Sequence, residues 1–357
     1  MTRYLLEEIG QRHAAMQGGF GLLANVKHIT VEEPFEVAPG VHFRPAQDDE
    51  ALSLKQVLTF ATIDGFFRHR NPYETRIQTE VISSDHTRTY IHDLPTEEHR
   101  YYVAEFTGTN LTLHRILEAS VLTSCELEMG IDIQVNVAGC KFGFSLGSQQ
   151  RILEEAKHDD ECLLTLDLSN LEDLKRVFIR LQNHQDEGVG LLPALDQFKD
   201  LRAIPISSPL RFLGYMAILE SLIAHQPKPS DPYESLRRQV KQKMLLLGRR
   251  SYLKPPYECF GQHCRKDKLW TTLYDYRSAV AHGSSVDFGR GEFRMLGSAR
   301  KALEFIKAST IAVMRHALDE PELVSDLRKT SPCPNAGPSG QERIRAGQAV
   351  GRVTAPG

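Results

Sequence analysis

Two residues five apart, Arg277 and His282, carry the side chains in this chain best suited to phosphodiester chemistry. Arginine is a permanent planar cation that can grip a phosphate with a forked contact. Histidine titrates near neutral pH and can move a proton. On RNA, a histidine can take the proton of a ribose 2′-hydroxyl, whose oxygen then attacks the neighbouring phosphorus, while an arginine stabilises the charge that builds on the phosphate oxygens. That route requires no metal and no cofactor. Five residues of α-helix correspond to about 140° of rotation, so the pair flanks one edge without meeting as an i,i+4 pair would. Neither completes a site alone. Two copies packed through a two-fold axis would bring two arginines and two histidines into one cleft. Around the pair, Tyr274 and Tyr276 are candidates to stack a base, and Asp275 and Ser278 are further supporting or RNA-binding positions. Ser278 can hydrogen-bond but carries no charge.

Four helical segments are expected to position these residues. Ser208 and Pro209 have the types of an N-cap and a first helical residue, and Phe212, Leu213, Met216, Leu219, Leu222 and Ile223 follow with helical spacing. Pro227 and Pro229 stop that helix. Asp231, Pro232 and Glu234 open a second, reaching about Gly248. The third runs from about Lys268 to His282 and is closed by Gly283. The fourth, about Ser298 to Leu318, has Ala302, Leu303, Ile306, Thr310, Val313, Met314 and Ala317 on one face. Residues 205–320 therefore read as an antiparallel four-helix bundle, and residues 1–204 as a mixed α+β domain, so that the fold class is α+β.

Charge divides the chain at the same place. Residues 1–204 carry 19 Lys and Arg against 32 Asp and Glu, a net of −13, whereas residues 205–318 carry 19 against 9, a net of +10. A basic field attracts polyanions, so nucleic acid is the first partner to expect for the helical part. The plainer reading is that the two oppositely charged halves attract one another.

The helical part closely resembles HEPN domains of the Apea-like group, found at the C-terminus of prokaryotic proteins, many linked to defence against phage. The likeness rests on Arg211-Phe212-Leu213 and Leu219-Glu220-Ser221-Leu222 on the first helix and on Leu273 to Gly283, which holds the Arg-x4-His signature. The resemblance implies a HEPN-type bundle that dimerises and acts as a metal-independent endoribonuclease, with Arg277 and His282 in the active-site roles and RNA, tRNA included, as substrate. It also implies a role in anti-phage defence or a toxin-like system, with the N-terminal half as a sensor or regulatory domain that responds to a phage-derived or cellular trigger or restrains the helical half. Many active members have Asn, Asp or His directly after the arginine, where this chain has Ser278. The alternative is a non-catalytic RNA-binding or dimerisation module of the same fold.

The rest of the chain gives weaker signals. Ile131 to Val137 alternates with the period of a half-buried strand, Tyr101–Phe106 and Leu163–Leu168 read as further strands, and Leu171–His184 has helical spacing after the cap types Ser169 and Asn170. Gly143 to Gly147 matches a hydrolase nucleophile elbow around Ser145, but too little chain follows it for the remaining strands, acid and histidine. Gly18 to Gly21 lacks the lysine and spacing of a phosphate loop and reads as a turn. The spacing of His86, His92 and His99 does not favour a metal site, and they read as solvated loop positions. Asp48 to Glu50 and Asp159 to Glu161 read as exposed loops. Cys259, His263 and Cys264 give three soft ligands where structural zinc wants four. No run approaches the roughly 18 apolar residues of a membrane span, the N-terminus lacks a signal-peptide core, and the six cysteines form no disulfide framework. A cytoplasmic protein is expected, with no membrane partner. Residues 330–357, rich in Pro, Gly and Ser, are expected to be disordered.

Overall fold

The computed structural model describes residues 18–61, 71–83, 86–136, 139–144, 163–186, 188–227, 235–250, 255–261 and 264–329. The expectations for Ser145, Asp159 to Glu161, Asp231 to Glu234, His263 and the 330–357 tail lie outside these residues.

In chain order, β1 (Gly18–Leu23), β2 (Val26–Ile29), β3 (Phe35–Ala38) and β4 (Val41–Pro45) lead into α1 (Asp48–Ala61). Next come the paired strands β5 (Thr75–Ser83) and β6 (His86–Asp93), then β7 (Tyr102–Thr107), α2 (Leu111–Ser120), β8 (Met129–Asn136), β9 (Gly139–Phe144), β10 (Leu164–Leu166), α3 (Leu168–Gln182) and α4 (Leu191–Asp200). The remainder is helical: α5 (Pro209–Ile223), α6 (Leu236–Arg250), α7 (Lys266–Ala281), α8 (Ala299–Asp319) and α9 (Pro321–Lys329). The α+β class holds, with the strands confined to the N-terminal half.

The main sheet has the order β3-β4-β7-β1-β8-β9, every neighbour antiparallel. The glycines expected to make a turn instead form its inner strand β1, fully buried. A Cβ on Gly19 would lie 2.0 Å from the Ile133 carbonyl oxygen, and one on Gly21 would lie 2.4 Å from Met129 Sδ. The bare backbone is what lets neighbouring chains approach so closely. One face of the sheet buries Phe20, Leu22, Val103, Ile131 and Ile133 against Leu54 and Leu58 of α1. The acid run before those leucines is no loop: it is the first turn of α1, where carboxylates suit the positive end of the helix dipole. Glu50 is fully buried there, clamped by Arg44 through contacts of 2.7 and 2.9 Å. His86 and His92 likewise belong to a strand, β6, rather than to a loop. The cap of α3 is Asp167, which shares a reciprocal capping box with Asn170, one turn earlier than the sequence indicated.

The other face of the sheet opens a core that does not stop at residue 204. Phe43, Ala104 and Phe106 join Leu113 and Ile116 of α2 and Leu174 and Phe178 of α3, and the same cluster continues through Phe198 and Tyr215 to Trp270 and Phe305. Phe198 of α4 and Tyr215 of α5 meet with ring centroids 5.0 Å apart. Where α4 gives way to α5, Leu201 occupies space that any side chain at 214 would need, since a Cβ on Gly214 would fall 2.2 Å from Leu201 Cδ2. Ion pairs follow the same seam. Arg315 of α8 is buried and holds Asp173 of α3 at 3.0 Å, donating also to the Leu122 carbonyl at 3.1 Å. Lys307 reaches Glu126 at 2.5 Å, and Arg180 pairs with Asp319. Part of the charge contrast between the halves is thus used internally. Among the described residues no helix is long and apolar enough to cross a membrane.

Candidate functional site

The local sequence builds α7 and ends it at a fixed point. Leu269, Trp270, Leu273 and Tyr276 recur at helical spacing and are buried. At the other end Gly283 has a φ of +67°, the left-handed conformation that glycine adopts without steric cost. The Ser284 N–H then donates to the Ala279 carbonyl at 2.8 Å and the Gly283 N–H to the Val280 carbonyl at 3.1 Å. These two bonds are the Schellman closure. His282 is the residue just before that glycine: it caps α7, its own N–H bonded to the Ser278 carbonyl at 3.0 Å, and its side chain is exposed. The position of this imidazole is therefore set by a locked backbone rather than by side-chain partners.

Arg277 has a different environment. Its Nε lies 3.6 Å from Glu220 Oε1 on α5, and its guanidinium sits over the Tyr274 ring, 5.8 Å from the centroid. About a third of the arginine side chain stays exposed (34%), whereas Glu220 keeps only 14%. Burial pushes the Glu220 carboxyl above its ordinary value, with Arg277 acting in the opposite sense. Glu220 Oε1 is buried without a hydrogen bond, and the Arg277 cation and the Tyr274 hydroxyl together offset the burial of the carboxylate. Burial and the Glu220 carboxylate also push the Tyr274 hydroxyl upward.

Glu220 was not singled out by sequence chemistry, although a signal exists. It is the lone acid in the run Ile218-Leu219-Glu220-Ser221-Leu222-Ile223, four of whose residues are buried apolar ones. An acid inside such a run needs a cationic partner, and α7 supplies it.

The supporting residues separate in the structure. Tyr276 is buried, its ring 4.7 Å from that of Phe212 and 5.4 Å from that of Phe288. It is a core residue whose remaining surface lies on a groove it shares with Phe212 and Val280. Asp275 is held by Arg237 of α6 at 2.7 Å. Tyr274 is half-buried with one face already under Arg277. Ser278 is half-buried, one residue along from Arg277. Arg277 lies on α7 and His282 caps it, but among the described residues no hydrogen bond or ion pair joins them.

Beside the His282 end runs a groove of about 650 Å³ between the N-terminal turns of α5 and α8 and the last turn of α7. Phe212, Val280 and Leu303 give it an apolar floor, and Ser284 and Arg300 stand at its edge. Arg290 and Arg294, both exposed, lie on the segment that packs back on α7. Among the described residues there is no group of three or more His, Cys, Asp or Glu side chains that could hold a metal. Cys125, Cys259 and Cys264 are free thiols.

No protein-family model, curated protein or solved structure matches the chain.

Proposed function

We propose that this chain is an endoribonuclease of the HEPN type, working without metal as a homodimer in which Arg277 and His282 of both copies line one cleft. The observation that carries the reading is the end of α7. An arginine about a third exposed and an exposed histidine stand five residues apart, one braced by Glu220 and the other on the backbone fixed by the Gly283 closure, in a segment of net charge +10. In the reaction, His282 takes the proton from a ribose 2′-hydroxyl and the freed oxygen attacks phosphorus. The P–O5′ bond breaks, leaving a 2′,3′-cyclic phosphate and a 5′-hydroxyl that collects a proton from the second histidine. Arg277 stabilises the extra charge on the phosphate oxygens. The resemblance to defence-linked proteins supports a role in anti-phage or toxin-like RNA cleavage, in the cytoplasm, with the strand-rich half receiving the trigger.

A second reading, a non-catalytic RNA-binding or dimerisation module, is favoured by one specific feature. Arg277 is already engaged by Glu220, and Ser278 brings no charge to replace it.

The test is cleavage of total RNA and purified tRNA in excess EDTA by the parent chain and by His282→Ala and Arg277→Ala, each first shown folded and of the parent's oligomeric state. Cuts that survive chelation and vanish in both variants support the nuclease. Equal RNA binding by all three with no cut supports the module instead.

A further inference from the structure

The acidic half contains a cleft lined by three cations and two acids. It measures about 500 Å³, within the range of small-molecule sites, and forms where β2, the start of β5 and the turn Thr96–Glu98 meet β7. Lys27, Arg76 and Arg100 line it, three cations in a half whose net charge is −13.

Two features separate this cleft from a solvated charged surface. Glu97 and Glu98 line the same space, yet among the described residues neither Lys27 nor Arg76 has an ion-pair partner. The two acids are themselves exposed and, among the described residues, form no ion pair with those two cations. The wall is also built rather than incidental. Arg100 is 7% exposed and Tyr102 8%, and the Tyr102 hydroxyl shares a hydrogen bond of 2.9 Å with His28 Nδ1. That bond orients the imidazole at the cleft, where its ring stands edge-on to Tyr102 at 6.1 Å. Two cations, Lys27 and Arg76, beside such a rigid wall are an arrangement that phosphate oxygens satisfy, through charge-assisted hydrogen bonds.

We propose that this cleft binds a small phosphate-bearing ligand of nucleotide size, with Lys27 and Arg76 holding the phosphates, Arg100 forming part of the wall behind them, and His28 contributing a ring N–H or a ring face. The proposal is independent of the ribonuclease reading, because no residue of the cleft belongs to α7 or to the groove beside it.

The test is equilibrium dialysis of the full chain against inorganic pyrophosphate and, separately, adenosine triphosphate. Beside the parent stand Lys27→Gln/Arg76→Gln, Arg76→Glu alone, and His282→Ala as the control, with melting curves checked first. Arg76 is exposed and, among the described residues, has no ion-pair partner, so its single variant keeps the fold if the double one does not. Saturable binding of either probe that weakens about tenfold or more in the cleft variants and is unchanged in His282→Ala is the expected result, a loss of about 1.4 kcal/mol. Tighter binding of the triphosphate would identify a nucleotide, and equal binding a bare phosphate group. No saturable binding of either probe, binding that the cleft variants leave intact, or occupancy only by an RNA oligonucleotide would overturn it.

Discussion

Arg277 and Glu220 form a cross-helix pair in which the acid is the more buried partner and the arginine keeps its outer face in solvent. Burial of Glu220 raises its carboxyl in the folded chain above the ordinary value, with Arg277 acting against that shift. The folded state therefore holds this proton more tightly than the unfolded chain does. Its contribution to stability is complete below the ordinary glutamate range and is lost as pH rises through the folded value. Glu220→Gln should accordingly gain stability relative to the parent as pH rises from about 4 to 7. Urea unfolding at the two pH values measures this, and a parent-minus-variant difference that does not change with pH would contradict it.

His282 is exposed at a helix end and its side chain has no hydrogen-bond or ion-pair partner among the described residues, so His282→Ala should change stability by no more than about 0.5 kcal/mol. Under the nuclease reading it should reduce RNA cleavage by about a hundredfold or more. A large stability loss would show instead that the side chain has a structural role.

Gly283→Ala tests the locked backbone rather than the side chain. Placing alanine at a φ of +67° should cost about 1 kcal/mol and shift the His282 cap. Cleavage should fall while the unfolding transition stays cooperative. Unchanged cleavage in a destabilised protein would separate the cap from the chemistry.

Tyr276 should behave as a core residue. Tyr276→Ala is expected to cost about 3 to 5 kcal/mol, as for other large buried rings, whereas Tyr276→Phe should fold normally and bind RNA like the parent. If Tyr276→Ala melted with the parent and lost only RNA affinity, the packing against Phe212 and Phe288 would be wrong.

Arg315 joins α8 to α3. Arg315→Ala leaves Asp173 and Asp319 without their shared cation and should cost about 3 kcal/mol or more. Asp173 itself is penalised by burial, but Arg176 and Arg315 more than offset this and hold its carboxyl below the ordinary range. Its stabilising contribution is therefore present above the usual aspartate value of about 3.9 and lost as pH falls through the folded value. The Arg315→Ala deficit, followed by thermal melting against pH, should shrink under those acid conditions. A deficit constant from neutral pH to acid would exclude the pair as its source.

The helical half was legible because its punctuation is local. Ser208 and Ser298 do cap α5 and α8, and Gly283 does close α7. The strand-rich half hid its logic in distant contacts. Glycine signals a turn when its value is conformational freedom, yet Gly19 and Gly21 lie in a strand because their missing side chains make room for Ile133 and Met129 more than a hundred residues away. Glu50 belongs to an acid run that looks solvated until Arg44 is folded onto it. At the candidate site the arginine and histidine could be chosen by chemical type. Glu220, about 57 residues upstream of Arg277, meets it only after α5 and α7 have packed.

The Leu201 contact on Gly214 has a mechanical meaning. The passage from the strand-rich half into α5 is wedged rather than slack, so a displacement of Leu201 would press on α5 as on a lever, and α5 is the helix that carries Glu220 to Arg277.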